Sequence, residues 1–344
     1  MMIVNADCLD WMREQQDNSI DFIVTDPPYG LKFMGKKWDN GIPGVGFWSE
    51  MLRVCKPGSM LAAFGGTRTF HRLTCAIEDA GWEIRDCICW LYGSGFPKSH
   101  NKFGLEGYGT ALKPAWEPII LAMKPLDGTY AQNAEKWDVA GINIDATRIP
   151  MEDKWTHRCH DITSGGLMDK KGRSDRVSES NSLGRWPANL ILDREAAALL
   201  DEQTGILKSG AHKPSYFSKM QKCLTHNKYN PIGGYDIHAN SGGASRFFYC
   251  AKASSSERNA GLEKHCIHPT VKPLALMRYI IKLLAPPGDP ILLDPFAGSE
   301  STLVAAKQLR IRAIGIEKED EYAEIAKRRI KNTQLLPEQF NFEY

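Results

Sequence analysis

Residues 1–125 alternate short apolar runs with helical patterns, an order that leaves little besides a layered α/β fold. The pattern predicts a helix over 9–14 and then a strand, Asp21-Phe22-Ile23-Val24-Thr25, that stops at Pro27-Pro28, because proline has no N–H to give a ladder. A helix over 47–54 closed by Lys56-Pro57-Gly58, a strand over 60–64 broken by Gly65-Gly66 and a helix over 71–80 closed by Gly81 follow. Strands near 84–92 and over 118–123 complete this half. After Leu262 the alternation resumes: a helix over 274–284, a short strand at Ile291-Leu292-Leu293, a glycine-containing turn, a helix over 301–309, a strand over 313–316 ending in Glu317, and a closing helix over 322–330.

Between 127 and 262 the texture changes to Gly, Ser, Asn and charged residues, with weak periodicity apart from a helical 194–202. The chain therefore divides into 1–126, an inserted 127–262, and 263–344. Overall charge is uninformative: 43 Lys+Arg against 41 Asp+Glu leave a formal net charge of +2, so a basic surface must come from local segregation. One stretch supplies it. Residues 205–252 carry Lys208, Lys213, Lys219, Lys222, Lys228, Arg246 and Lys252 against the single acid Asp236, with seven Tyr and Phe interleaved. Neutralising a phosphate backbone and stacking on bases needs such a mixture, and a solvated surface with its own aromatic core would also produce it. The nine cysteines include no C-x-x-C pair, which argues against a zinc ribbon and a disulfide framework. The start has no leader pattern and no apolar run reaches membrane-span length, so a cytoplasmic protein without membrane contact is expected.

Two segments concentrate chemistry. Thr25-Asp26-Pro27-Pro28-Tyr29-Gly30 lies just beyond a strand's carboxyl end, where an α/β fold places its site. Asp26 can accept a hydrogen bond from an exocyclic amino group, the Pro27 carbonyl, held rigidly by Pro28, can accept a second, and Tyr29 offers a stacking face. The other segment, Asp294-Pro295-Phe296-Ala297-Gly298-Ser299-Glu300, turns into a helix whose backbone N–H groups face a negative group, while Glu317 at the next strand's tip suits ribose hydroxyls.

Together these segments resemble the S-adenosylmethionine-dependent DNA amino-methyltransferases, in the motif order of the β group, over roughly 1–125 and 263–335. The resemblance implies a doubly wound, Rossmann-like methyltransferase sheet with an inserted target-recognition domain at 127–262. It implies that Asp26, Pro27, Pro28 and Tyr29 are catalytic. It further implies that Phe296 and Gly298, with Asp294 and Ser299 of the same turn, shape the cofactor pocket. Glu317 would hold the ribose and Asp7 the adenine, an ordinary helix N-cap being the other reading of Asp7. Thr270 and Lys272, ahead of Pro273, resemble the segment lining the methionine end, or they cap a helix start. S-adenosylmethionine is the implied cofactor and double-stranded DNA the implied partner. A homodimer and a cognate restriction endonuclease stay open, and Lys213, Lys219, Lys222, Lys228 and Arg246 are the candidate DNA contacts.

Adenine N6 is preferred to cytosine N4 because the tetrapeptide begins with Asp, where the cytosine enzymes most often carry Ser. Methylation at cytosine C5 is disfavoured because the chain has no Pro-Cys pair. Enzymes that methylate RNA or protein glutamine share the Pro-Pro-Tyr chemistry but usually have Asn before it. One position departs from the family pattern: Glu300 stands where a second glycine is usual. It is expected to point outward from the helix's first turn, where an acid is favourable; the alternative is a DNA-binding homologue whose cofactor site this carboxylate impairs. Trp90 either walls the base pocket or packs in the core. The cluster His157, Cys159, His160 has no second ligand group to complete a metal site, so no metal is expected.

Overall fold

The computed structural model describes residues 1–31, 41–95, 99, 104–151, 183–209, 240–251, 272–298 and 300–336, with the backbone of 156–160, 175–179 and 235–236. The strands are β1 (Met2–Asn5), β2 (Ile20–Thr25), β3 (Cys55–Phe64), β4 (Glu83–Leu91), β5 (Trp116–Met123), β6 (Thr156–His160), β7 (Asp175–Glu179), β8 (Leu190–Asp193), β9 (Leu207–Ser209), β10 (Tyr235–Asp236), β11 (Asn240–Gly242), β12 (Tyr249–Ala251), β13 (Ile291–Asp294) and β14 (Arg312–Glu317). The α-helices are α1 (Cys8–Arg13), α2 (Val45–Val54), α3 (Phe70–Asp79), α4 (Tyr130–Trp137), α5 (Arg194–Thr204), α6 (Leu274–Leu284), α7 (Ser301–Gln308) and α8 (Asp320–Asn332).

Nine strands form one sheet in the order β1-β14-β13-β2-β3-β5-β4-β8-β12. Only β5 runs against the rest of that sheet. Every residue of β2 is buried, which explains why Phe22, Ile23 and Val24 are apolar in succession: a strand covered on both faces has no solvent side to mark with alternating polar residues. Alternation then sorts side chains between two cores. Phe22, Val24, Met60, Ala62 and Phe64 pack with α6 and α7, while Ile23, Leu61 and Ala63 pack with α1, α2 and α3. Asp21 ties β2 to its neighbours at the opposite end, accepting hydrogen bonds from Lys56 Nζ and the Ile291 N–H, both at 2.7 Å.

The structure departs from the sequence expectation in three places. The first element is a strand, β1, paired in parallel with β14, rather than a helix. Lys56-Pro57-Gly58 does not lie between a helix and a strand but inside β3, with Gly58 at φ 79°. The region 127–262 is not one piece. The chain forms two units: Met1–Thr147, Pro187–Ala197 and Phe248–Tyr344 make the first, Arg148–Trp186 and Ala198–Phe247 the second. Strands β8 and β12 thus extend the nine-stranded sheet beyond β4, and α4, with a full capping box at Thr129 and Gln132, belongs to the first unit. The second unit contains the small sheets β10-β6-β7 and β11-β9. Among the described residues no helix is long and apolar enough to cross a membrane.

Candidate active site

Strand order reverses between β13 and β2: the chain leaves β13 through α7 toward β14, and leaves β2 through α2 toward β3. A crevice outside the carboxyl ends of the strands is expected at such a switch point. A cavity of about 760 Å³ occupies that place, within the first unit, and is lined by both motif segments. The two segments are joined directly, for Thr25 Oγ1 donates a 2.7 Å hydrogen bond to Asp294 Oδ1. Burial pushes the Asp294 carboxyl up to about 6, against the lowering effect of its bonds from Thr302, Thr25 and the Phe296 N–H.

Beyond β2, a cluster of charged and aromatic side chains surrounds Asp26. The Tyr29 hydroxyl donates to Asp26 Oδ1 at 2.6 Å. Lys272 Nζ lies 3.1 Å from Asp26 Oδ2, 2.9 Å from Glu117 Oε2 and 3.0 Å from the Tyr29 hydroxyl. Its ammonium also sits 5.3 Å from the Tyr29 ring centre and 5.0 Å from that of Phe64. Burial opposes the charge on Lys272, yet the two carboxylates outweigh it and hold the ammonium well above its ordinary range. Burial, with the same two carboxylates, pushes the Tyr29 phenol up, so it remains a donor. The Tyr29 backbone is fixed as well: Thr69 Oγ1 donates to its carbonyl at 2.8 Å, and Gly30 follows at φ 67°, where glycine is unstrained.

Glu117 was not among the residues expected from sequence. It sits at the start of β5, and because β5 runs against its neighbours, its beginning lies at the edge where the other strands end. No local pattern marks such an acid. Lys272, expected beside the methionine end of a cofactor, lines the cavity but spends its ammonium on Asp26, Tyr29 and Glu117. Pro273 caps α6.

The other side of the cavity is built on β14 and α1. Glu317 Oε2 accepts from the Gly298 N–H and Oε1 from the Glu319 N–H, both at 2.8 Å. Burial raises the Glu317 carboxyl while those amides pull it back. Asp7 caps α1, accepting from the Leu9 N–H at 3.0 Å, and it also lines the cavity. Burial works upward on Asp7, but Lys318, 3.1 Å from its other oxygen, and the capped amide hold it below the ordinary aspartate range. The Phe296 ring packs against Phe47 at 5.8 Å between centres.

Two cavity-lining groups are buried without hydrogen-bond partners. Trp90 is 8% exposed, its ring 5.2 Å from that of Tyr92, and its indole N–H has no acceptor. Glu300 is 0% exposed and neither carboxylate oxygen has a donor. The outward orientation expected for Glu300 is therefore wrong. Residues 301–306 of α7 are all buried, so the first turn has no solvent side to receive an acid. Glu300 also adopts the left-handed conformation, φ 73° and ψ 35°, that suits glycine. Burial drives its pKa well above the ordinary value, Asp294 and Glu317 push the same way, and Arg329 opposes them.

Thr270, Ser299, Lys213, Lys219, Lys222 and Lys228 lie outside the described residues. Arg246, in the second unit, braces its own turn: Nη1 donates to the carbonyls of Gly242 and Gly243 at 2.6 Å, and the guanidinium lies 4.3 Å from the Phe247 ring centre. Arg148 stacks on Trp186 at 5.3 Å, and Trp186 is 66% exposed. The side chains of the His157, Cys159 and His160 cluster lie outside the described residues too.

A family model described as DNA methylase, for the N6 and N4 amino-methyltransferases, matches residues 20–328. The chain belongs to that family. Its cofactor is S-adenosylmethionine. This methylase is 23% identical over 389 aligned positions to the Type II methyltransferase M.HindIII of Haemophilus influenzae, with 95% of this chain and 94% of the relative covered. It is 23% identical to the Type II methyltransferase M.HpaI of Haemophilus parainfluenzae, covering 95% of this chain and 73% of that one. Among solved structures, the cytosine-N4-specific PvuII DNA methyltransferase superposes with a TM-score of 0.50 at 14% identity, covering 95% and 85% of the two chains, a likeness of fold. The methylase thus acts on an exocyclic amino group, of adenine or of cytosine.

The residues present suit S-adenosylmethionine. The cofactor carries a sulfonium and an ammonium against one carboxylate, and the cavity is lined by Asp7, Asp26, Glu117, Asp294, Glu300, Glu317 and Glu319 against Lys272 and Lys318. Glu317 has lone pairs to spare for ribose hydroxyls, and the Phe296 ring is a surface a ligand can meet.

Proposed function

We propose that the methylase modifies the N6 amino group of adenine in double-stranded DNA, with the target base extruded into the cavity beside Asp26 and Tyr29. The cluster of Asp26, Tyr29, Lys272 and Glu117 at the switch point carries this reading. Bound S-adenosylmethionine supplies an electrophilic methyl group.

The chain's own residues position the amine. Tyr29 and Lys272 each give a hydrogen to one oxygen of Asp26, fixing the carboxylate while leaving a lone pair on each oxygen. Asp26 and the Pro27 carbonyl then accept the two amino hydrogens, which localises the nitrogen lone pair for attack. Those bonds strengthen as the nitrogen becomes cationic, and such differential stabilisation lowers the barrier. In this reading Asp26 takes the proton that the methylated nitrogen releases. Extruding a base costs a few kcal/mol, and stacking on an aromatic face returns about 1 to 3 kcal/mol. In the second unit, Arg148 over exposed Trp186 supplies the cationic and aromatic groups that a nucleic acid needs.

Asp at position 26, rather than Ser, favours adenine. The test is methyl transfer from labelled S-adenosylmethionine into mixed-sequence DNA, followed by digestion and mass identification of the nucleosides. Label in N6-methyladenine that disappears in Asp26→Ala supports the proposal; N4-methylcytosine overturns the choice of base, and silence overturns the activity.

A further inference from the structure

Two carboxylates share one ammonium at the wall of the cavity. The Lys272 ammonium has three hydrogens and meets three oxygens: Asp26 Oδ2 at 3.1 Å, Glu117 Oε2 at 2.9 Å and the Tyr29 hydroxyl at 3.0 Å. The Tyr29 hydrogen then goes to Asp26 Oδ1 at 2.6 Å rather than to Glu117 Oε2, which lies at 3.4 Å. Neutrality does not call for Glu117, because Asp26 alone balances Lys272. The second carboxylate leaves the cluster with one negative charge in excess, and folding gains little from such a charge where the Lys272 side chain is 8% exposed and that of Glu117 22%. Glu117 is nevertheless held firmly, on a strand paired along both edges, and it lines the cavity together with Asp26, Pro27 and Tyr29.

We propose that Glu117 is a positioning residue for methyl transfer: by sharing the Lys272 ammonium, it leaves the Asp26 carboxylate its negative charge toward the amine. The inference rests on the reading that the target amine lies beside Asp26. Methyl transfer makes a nitrogen–carbon bond and breaks a carbon–sulfur bond whose electron pair stays on sulfur. Positive charge therefore moves onto the nitrogen, until a proton leaves it for Asp26. An ammonium paired with Asp26 alone would oppose that charge at the moment it forms. Shared with Glu117, the same ammonium still orients Asp26 through one hydrogen bond, while the cluster as a whole stays negative and stabilises the cationic nitrogen. Glu117 acts here through its charge on Lys272, with no contact to the base required.

The experiment separates charge from shape in the full chain. Glu117→Gln keeps the shape and an oxygen for Lys272 but loses the charge; Glu117→Asp keeps the charge on a shorter side chain. Single-turnover methyl transfer from labelled S-adenosylmethionine into DNA that the wild type modifies is measured beside the dissociation constant for S-adenosylmethionine and a thermal melt. Glu117→Gln should fold and bind the cofactor as the wild type does, with a rate about tenfold lower, the effect of one partly screened charge near the reacting atom. Glu117→Asp should be faster than Glu117→Gln. A wild-type rate in Glu117→Gln overturns the proposal, and so does Glu117→Asp as slow as Glu117→Gln or slower, which would make shape the requirement. Cofactor affinity that falls in step with the rate overturns it by placing Glu117 in the cofactor site. A Glu117→Gln chain that does not fold overturns it too, since the charge is then structural. No transfer by the wild type itself overturns the reading on which the proposal rests, an outcome none of the variants can imitate.

Discussion

Thr25 and Asp294, 269 residues apart in the chain, share a 2.7 Å hydrogen bond in which the threonine hydroxyl donates and neither residue is more than 1% exposed. It holds the end of β2, and so Asp26, against the end of β13, and so the turn that leads to Glu300. Replacing Thr25 by Val keeps the shape and removes the donor. A hydrogen bond to a carboxylate contributes about 1.5 to 3 kcal/mol, so Thr25→Val should lower the unfolding free energy in urea by that amount at neutral pH, and Thr25→Ser should recover most of it. The Asp294 carboxyl should also titrate above its present value of about 6, since one of the bonds holding it down is gone. An unchanged urea midpoint would mean that the bond carries no net energy.

In the proposed reaction Asp26 acts on the reacting nitrogen, so its loss should appear in turnover rather than in cofactor affinity. Asp26→Ala should reduce methyl transfer by at least about a hundredfold, the scale on which one oriented group at a transition state acts, with the dissociation constant for S-adenosylmethionine little changed. Single-turnover rates and a fluorescence titration together separate the two. A variant that loses cofactor binding in step with rate would place Asp26 in the cofactor site.

Lys272 stands between two carboxylates, and removing it leaves them facing each other. Lys272→Met should cost about 3 to 5 kcal/mol of stability, as expected when one partner of a buried ion pair is deleted. Glu117→Gln is the gentler probe: it leaves the packing intact and gives Asp26 sole claim on the ammonium. Its maximal rate should fall by about tenfold, the effect of about 1.4 kcal/mol less transition-state stabilisation, with cofactor affinity preserved. Rapid-quench kinetics beside thermal denaturation would check both, and a Glu117→Gln enzyme of normal rate would show that Lys272 needs no second counter-charge.

Glu300 makes stability depend on pH in a stated direction. Its pKa in the folded protein lies well above the ordinary 4.5, so the folded chain keeps a proton that the unfolded chain gives up. Its contribution is fully present below 4.5 and is lost as pH rises toward the folded value. Glu300→Gly should therefore gain stability relative to wild type, by about 1 kcal/mol from the relieved backbone alone, and the gain should grow between pH 5 and pH 8. Urea titrations of both chains across that range measure it; a gain that shrinks with rising pH would contradict the assignment.

The sheet and the two motif segments were legible because their signals are local. The apolar run of β2 ends at Pro27-Pro28, and the strand, turn, helix and acid order from Ile291 to Glu317 repeats the logic of a nucleoside site within one stretch of chain. Glu117 carried no such signal, since its place at the cavity depends on the direction of β5 in the sheet. Strands β8 and β12, of four and three residues, are too short for a period to stand out amid the polar texture around them. The error at Glu300 came from applying a surface rule to a helix whose first turns are buried on every side.

The pairing of β2 with β13 also sets the order in which the protein can become itself during synthesis. When β2 leaves the ribosome its neighbour on one edge is about 270 residues away, and until Leu292 and Leu293 arrive to lie beside Phe22 and Ile23 that edge stays open. Contacts so distant in sequence form slowly, and an apolar strand edge left waiting is an invitation to pair with another chain. A ribosome that stalls before residue 290 would release a fragment with the whole Asp26-to-Tyr29 segment and no catalytic competence, one whose fate is capture by a chaperone or aggregation.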